Sequence, residues 1–344
     1  VQLGMIGMTG AGKTTVFEAL TGSAPDPDRK QEYTVGTVSV PDERIDRLSA
    51  MFNPRKTIYT QVQYVLPHAR EHGERGKDAE PLWKHVRHCD ALVHVVRNFA
   101  DMALRPPTPI EDFKSVDQEL VFADLVVVEK RLERIDLDSR RGRKIDAEEK
   151  GLLEACREVL ENELPLRRRD HLATAPLLRG YTFLSAKPSL VLFNNSDEDT
   201  AVPEASDLCT VEACMAVRGK LEQELAQMPL EEARAFREEF DIPVSAMERV
   251  IQRSYDLLGL VSFFTVLSDE VHAWTIPRGT PALEAAEVIH SDMKRGFIRA
   301  EVLAYERLME AGSLQQAKKE AHVRLEGKTY EVQDGDIIAF RFNV

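Results

Sequence analysis

Three things are scarce in this chain: long apolar runs, cysteine and basic charge. The longest apolar stretch, Leu257 to Leu267, falls short of the roughly 18–20 residues that span a bilayer, so it reads as a core segment. Membrane insertion is therefore not expected. Only four cysteines occur, at Cys89, Cys156, Cys209 and Cys214, and none forms a Cys-x-x-Cys pair. That spacing gives no zinc ribbon or dithiol redox motif, and each cysteine lies in or beside an apolar stretch. Reduced, buried thiols in a reducing cytosol are the expectation. Basic residues number 45 against 58 acidic ones, a net charge of −13. This excludes a surface that binds polyanions everywhere, though not a local basic patch. Sequence-specific recognition of DNA is not expected. The opening residues lack the cationic start and apolar core of a secretory signal; Val1 to Ile6 read as a strand. The reading is a cytoplasmic protein of two or three domains.

What is present is an alternation of strands and helices. Leu3 to Ile6, Thr34 to Val40, Ile58 to Leu66, Ala91 to Val96 and Ser189 to Phe193 read as strands. The nearly continuous apolar character of Ala91 to Val96 suits a strand buried on both faces. Thr14 to Leu20 reads as a helix, and Leu208 to Val217 as a further strand or part of one. Between the fourth and fifth of these strands, Asp112 to Leu164 is rich in Glu, Arg, Lys and Leu. Leu125, Val128, Leu132 and Ile135 recur at steps of 3 and 4. The polar break Asp138 to Lys144 turns this segment into an antiparallel helical hairpin. The expected class is α/β: a mostly parallel, helix-flanked sheet over 1–110 and 189–258, interrupted by the hairpin over 111–188. A separate small domain fills 260–344. There, Trp274 to Ile276, Val323 to Leu325, Thr329 to Val332 and Ile337 to Phe342 read as strands. Pro281 to Ile289 and Arg299 to Glu310 read as helices.

The chemistry sits between the first strand and the first helix. Gly7-Met8-Thr9-Gly10-Ala11-Gly12-Lys13-Thr14 fits Gly-x-x-x-x-Gly-Lys-Thr, a specific pattern when a strand precedes it and a helix follows. Gly7, Gly10 and Gly12 let backbone amides approach phosphate, and the helix start adds unpaired N–H groups and positive dipole. Ala11 and Thr15 belong to the same turn. Lys13 faces β- and γ-phosphate charge, and Thr14 offers a hydroxyl to Mg²⁺. This is a nucleoside triphosphate site.

The tail carries a resemblance. Leu257 to Leu260, Val271 to Ile276, Gly296 to Val302, Arg324 to Lys328, Gln333 to Asp336 and Phe340 to Val344 are similar to the C-terminal TGS domain of the YchF/Obg-like ATPase family. Val40 to Asp46 and Asp124 to Arg134 resemble its G domain and helical arm. The resemblance covers nearly the whole chain. It implies a P-loop G domain, an inserted coiled-coil arm and a β-grasp TGS domain, with ATP hydrolysis and association with the ribosome and its RNA. It also makes Thr34 the expected second hydroxyl for Mg²⁺, beside Tyr33 where the family carries cysteine.

This chain departs from that pattern at several points. Where the family has Asp-x-Ala-Gly after the third strand, Val65-Leu66-Pro67-His68 stands. The carboxylate that supports Mg²⁺ and the glycine that senses γ-phosphate are missing. The base-holding Ser-Ala is replaced by Arg218-Gly219, and the family's catalytic histidine has no counterpart between Arg97 and Pro109. Asp101 and His68 are the candidate catalytic replacements, with His72 near the latter. Asn195, Ser196 and Glu198 form the expected base-reading element, which suits ATP. A second register, Asn194 to Asp197, would place an aspartate there and admit GTP, because guanine offers two donors and adenine one. Slow hydrolysis is expected. The rivals are a nucleotide-binding switch without significant turnover and a P-loop kinase, for which no lid or acceptor pattern is found. For RNA contact, Arg140, Arg141, Arg143 and Lys144 concentrate at the hairpin tip, with Arg131 and Arg134 along its side. Lys294, Arg295 and Arg299 offer a second cluster in the tail.

Overall fold

The computed structural model describes residues 1–24, 32–68, 79–100, 105–204, 207–239, 244–267 and 269–343. In chain order it begins with strand β1 (Gln2–Ile6), helix α1 (Lys13–Thr21), strand β2 (Tyr33–Ser39) and helix α2 (Glu43–Phe52). Strands β3 (Lys56–Ile58) and β4 (Gln61–Pro67), helix α3 (Ala79–Val86) and strand β5 (Ala91–Asn98) follow. The arm helices are α4 (Pro109–Arg140) and α5 (Ala147–Glu161). Strands β6 (Ser189–Asn195), β7 (Ala213–Val217), β8 (Leu260–Val266), β9 (Glu270–Pro277), β10 (Phe297–Ala304), β11 (Arg324–Glu326) and β12 (Asp336–Phe342) complete two six-stranded sheets. Among the described residues, no helix is long and apolar enough to cross a membrane.

The chain divides into two compact units. One holds Val1–Val38 and Gln63–Leu257; the other holds Ser39–Val62 and Leu258–Val344. The first unit is built on the sheet β2-β4-β1-β5-β6-β7. Strands β4, β1, β5, β6 and β7 are mutually parallel, so their carboxyl ends share one edge. One face is covered by α3 and α4 through Trp83, Val86, Val116 and Leu120, packed on Ile6, Val65 and Leu92. On β5, Ala91 to Val96 are all buried, as a doubly covered strand requires. Helix α1 packs beside Gly219–Gln227 and Ala246–Leu257. The strand expected over Leu208 to Val217 is confined to β7, after a single helical turn at Leu208–Val211.

The arm has its own core. Val128, Leu132 and Ile135 of α4 meet Leu153, Cys156 and Leu160 of α5. The turn between them ends at Asp146, whose carboxylate accepts from the Glu148 and Glu149 amides and so starts α5. The base of the arm is fastened by Asp124, fully buried on α4. Its carboxylate accepts from the backbone N–H groups of Leu184 at 3.0 Å and Ser185 at 2.7 Å. Arg87 approaches at 3.5 Å. Burial pushes the Asp124 carboxyl up, and these donors oppose that shift.

The second unit is the sheet β11-β10-β12-β8-β9-β3, with cores on both faces. One packs Ala282, Ala285 and Ala286 of the helix Ala282–Ile289 on Phe263, Val302 and Ile338. The other includes Ile45 and Leu48 of α2, with Phe264, Leu303 and Ile337. The expected single strand over Ile58 to Leu66 is therefore two strands in two sheets: β3 pairs with β9, while β4 joins β1. Two other elements differ from expectation. Residues 297–304 are strand β10, paired with β12, and the helix begins only at Tyr305. Thr329 to Val332 form no strand; Glu331 makes one isolated bridge to Pro281.

Removing the Asp124 carboxylate strands two buried N–H groups, each costing roughly 1–3 kcal/mol. Asp124→Ala is expected to lower hydrogen-exchange protection of the Leu184 and Ser185 amides by more than about tenfold while protection in β10 and β12 holds. Unchanged protection would show that the arm is fastened elsewhere.

Candidate functional site

Strand β1 ends at Ile6 and the chain turns through Gly7 to Gly12 into α1. Gly7 has φ 144° and Gly12 φ 87°, both in the region that favours glycine. A Cβ on Gly7 would lie 2.2 Å from the Val95 carbonyl oxygen, and one on Gly12 would lie 2.2 Å from Asn194 Nδ2. No side chain caps α1, so its first amides are free for an anion. Lys13 Nζ donates to the Gly7 carbonyl at 2.9 Å and the Met8 carbonyl at 2.8 Å. Burial holds its pKa below the ordinary lysine value. Thr14 is exposed in the first turn, Thr15 is half-buried and Ala11 is buried.

The base-reading loop follows β6, and the structure distinguishes the two registers. Asn194 Nδ2 donates to the Ala11 carbonyl at 3.0 Å. Its Oδ1 accepts from the Gly219 amide at 3.0 Å. The side chain is buried between two glycines: a Cβ on Gly219 would come within 2.6 Å of Oδ1. Asn195, by contrast, is turned into its own loop. Its amide nitrogen donates to the carbonyls of Asp199 and Ala201, and its oxygen accepts from Asn98. Asn194, rather than Asn195, ties the loop to the phosphate turn, and Asp197 stands three residues beyond it as Glu198 stands three beyond Asn195. Ser196, Asp197 and Glu198 are all exposed. Arg218 reaches the Asp197 carbonyl at 3.5 Å. The signal was a buried asparagine at a strand's carboxyl end, which two adjacent asparagines made ambiguous.

At the end of β4, Val65, which stands where the resemblance expects the aspartate, is 3% exposed and packs as a core residue, so no carboxylate stands there. His68 is engaged through one ring nitrogen. Its Nε2 is 2.7 Å from Thr34 Oγ1, which ties it to the expected metal hydroxyl. The other catalytic candidate, Asp101, and His72 lie outside the described residues. Thr14 and Thr34 offer hard oxygen donors of the kind Mg²⁺ accepts alongside phosphate oxygens, so the residues present fit the ion without the usual carboxylate support.

The basic clusters fare unequally. Arg143 pairs with Asp138 at 2.8 Å, and Arg131 with Glu149 at 2.8 Å. Lys294 is held by Glu284 and Glu287, each at 2.6 Å, and Arg295 by Asp292. Arg140, Arg141 and Lys144 are exposed at the tip and form no ion pair among the described residues. Of the thiols, Cys89 and Cys156 are buried; Cys209 is exposed, against expectation, because it sits on a one-turn surface helix.

Comparison with known proteins agrees with this architecture. The family model YchF-GTPase_C, described as a protein of unknown function, matches residues 260–343. The ribosome-binding ATPase YchF of Bacillus subtilis is 36% identical, with 99% of each chain covered. The ribosome-binding ATPase YchF of Mycoplasma genitalium is 32% identical, with 100% of each covered. The solved structure of the Schizosaccharomyces pombe YchF GTPase matches with a TM-score of 0.83 at 26% identity, covering 99% of this chain and 97% of that one. Similarity of this degree spans both units, the phosphate turn and the arm, and the chain therefore belongs to the YchF family of Obg-like P-loop NTPases.

Proposed function

We propose that this protein binds Mg²⁺·ATP, hydrolyses it slowly and associates with the ribosome through the tip of its arm. The observation that carries the nucleotide reading is the phosphate turn: glycines fixed at positive φ, uncapped amides of α1 and a half-buried lysine converge on one point. The relatives named ribosome-binding ATPases support ATP and the ribosome. Gly7 to Thr15 would hold the phosphates, and Thr14 with Thr34 the metal. Mg²⁺, when bound, neutralises phosphate charge and orients the triphosphate. Slow turnover follows from the apolar Val65. Catalysis in this class is mostly positioning, so a missing carboxylate costs rate more than affinity.

One observation favours a second nucleotide. With Asn194 bound to the phosphate turn, Asp197 is the carboxylate three residues on, the spacing that suits guanine's two donors. GTP is then a competing ligand. The P-loop kinase alternative gains nothing from the described residues.

Lys13→Ala is expected to weaken ATP binding by about a hundredfold, the upper range for a charge-assisted hydrogen bond, with the melting temperature kept. Calorimetry giving wild-type affinity would remove the nucleotide reading. Steady-state turnover is expected well below the ~10 s⁻¹ typical of enzymes; a phosphate-release assay at saturating Mg²⁺ checks it. In competition binding, ATP should outcompete GTP, and Asp197→Ala should lower GTP affinity more than ATP affinity; equal losses would exclude Asp197 as the base reader. For the arm, Arg140→Glu, Arg141→Glu and Lys144→Glu together should reduce ribosome co-sedimentation and flatten its salt dependence, with ATP affinity unchanged. Wild-type sedimentation across a salt series would place the RNA contact elsewhere.

A further inference from the structure

The missing carboxylate and glycine leave a question of order: what holds Thr34 where a metal can use it? Strand β2 is the edge neighbour of β4, and Thr34 near its start meets His68 just past the end of β4. The His68 amide also donates to the Glu32 carbonyl at 2.9 Å. Strand β4 runs parallel to β1, so His68 emerges at the same sheet edge as the phosphate turn. A second clamp lies one residue away on each side of Tyr33. Glu32 pairs with His85 Nε2 of α3 at 3.0 Å, and the Tyr33 and His85 rings are 4.6 Å apart. The start of β2 is therefore held by two histidines from different elements.

A hydroxyl has one hydrogen and two lone pairs. If the Thr34 hydroxyl donates to Nε2, both lone pairs remain for a cation. A metal ligand oriented through its hydrogen by an imidazole or carboxylate is the usual way a protein fixes such an oxygen. We propose that His68 is a positioning residue for Thr34: it accepts the hydroxyl hydrogen and presents the oxygen to the cation that accompanies a bound nucleotide. It thereby stands in for the metal support that Val65 cannot give. This rests on the nucleotide site of the preceding section.

The test is calorimetry of ATP binding to the full chain, with Mg²⁺ and with excess EDTA. Wild-type protein binds more tightly with Mg²⁺. His68→Ala is expected to lose about tenfold of that Mg²⁺-dependent gain, the lower range for an outer-shell partner, with affinity in EDTA unchanged. His68→Gln, whose amide oxygen can accept the same hydrogen, should recover part of it. Thr34→Ala should lose the gain too, and adding His68→Ala to it should cost nothing further, since coupled residues do not add. A structural role alone would weaken binding equally in Mg²⁺ and EDTA, and that result overturns the proposal. So do wild-type Mg²⁺ dependence in His68→Ala and full additivity of the two alanines. Absence of Mg²⁺-dependent binding in the wild type overturns this proposal and the nucleotide reading together; a normal wild type with an indifferent His68→Ala overturns this proposal alone.

Discussion

A single buried amide organises the nucleotide end of the first sheet. The Asn194 NH2 donates to the phosphate turn, and its oxygen accepts from the first residue of the helix Gly219–Gln227. Both partners are backbone atoms, so the bond fixes main chain rather than side chain. The approach is possible only because Gly12 and Gly219 leave room. An unpaired amide at this depth would carry a penalty of a few kcal/mol, so the loop after β6, the turn after β1 and the start of that helix are held as one piece. Lys13 at one end of that piece and Asp197 at the other are placed relative to each other by that bond.

The opposite flank of the site follows another logic. At the end of β4, where the resemblance expects an aspartate, Val65 packs into the core. Polarity returns three residues on, at His68, whose hydrogen bond crosses to Thr34 on β2. That arrangement fits a site whose anion is bound mainly by backbone amides and one lysine.

The glycine pattern, the buried strand β5 and the hairpin were legible because each rests on local sequence: a fixed motif, a continuous apolar run, a repeat of 3 and 4. Features decided by distant partners were not. Arg299 to Ala304 read as the start of a helix running to Glu310, and pairing with β11 and β12 makes them strand. The segment from Ser39 to Val62 looked like more of the first sheet, yet Ile45 and Leu48 complete a core with Phe264 and Ile337. The choice between Asn194 and Asn195 needed geometry because the two are adjacent and identical. His68 was visible as a polar residue in the right region, but its bond to Thr34 spans 34 residues and two strands. Arg131 and Lys294 looked available for RNA until their acidic partners were placed beside them.

The passage of Ser39–Val62 into the second unit has a consequence for synthesis. The ribosome makes Ile45 and Leu48 early, but their partners Phe264, Leu303 and Ile337 come only at the end of the chain. At 5–20 residues per second, the roughly 220–290 intervening residues take about 10–60 s to emerge. For that interval the apolar face of α2 has no native partner, while the strands on either side of it, β2 and β4, belong to a sheet whose other members are already appearing. The nascent chain thus carries the apolar face of α2 out of an assembling domain, and its burial waits on the segment from β8 to β12.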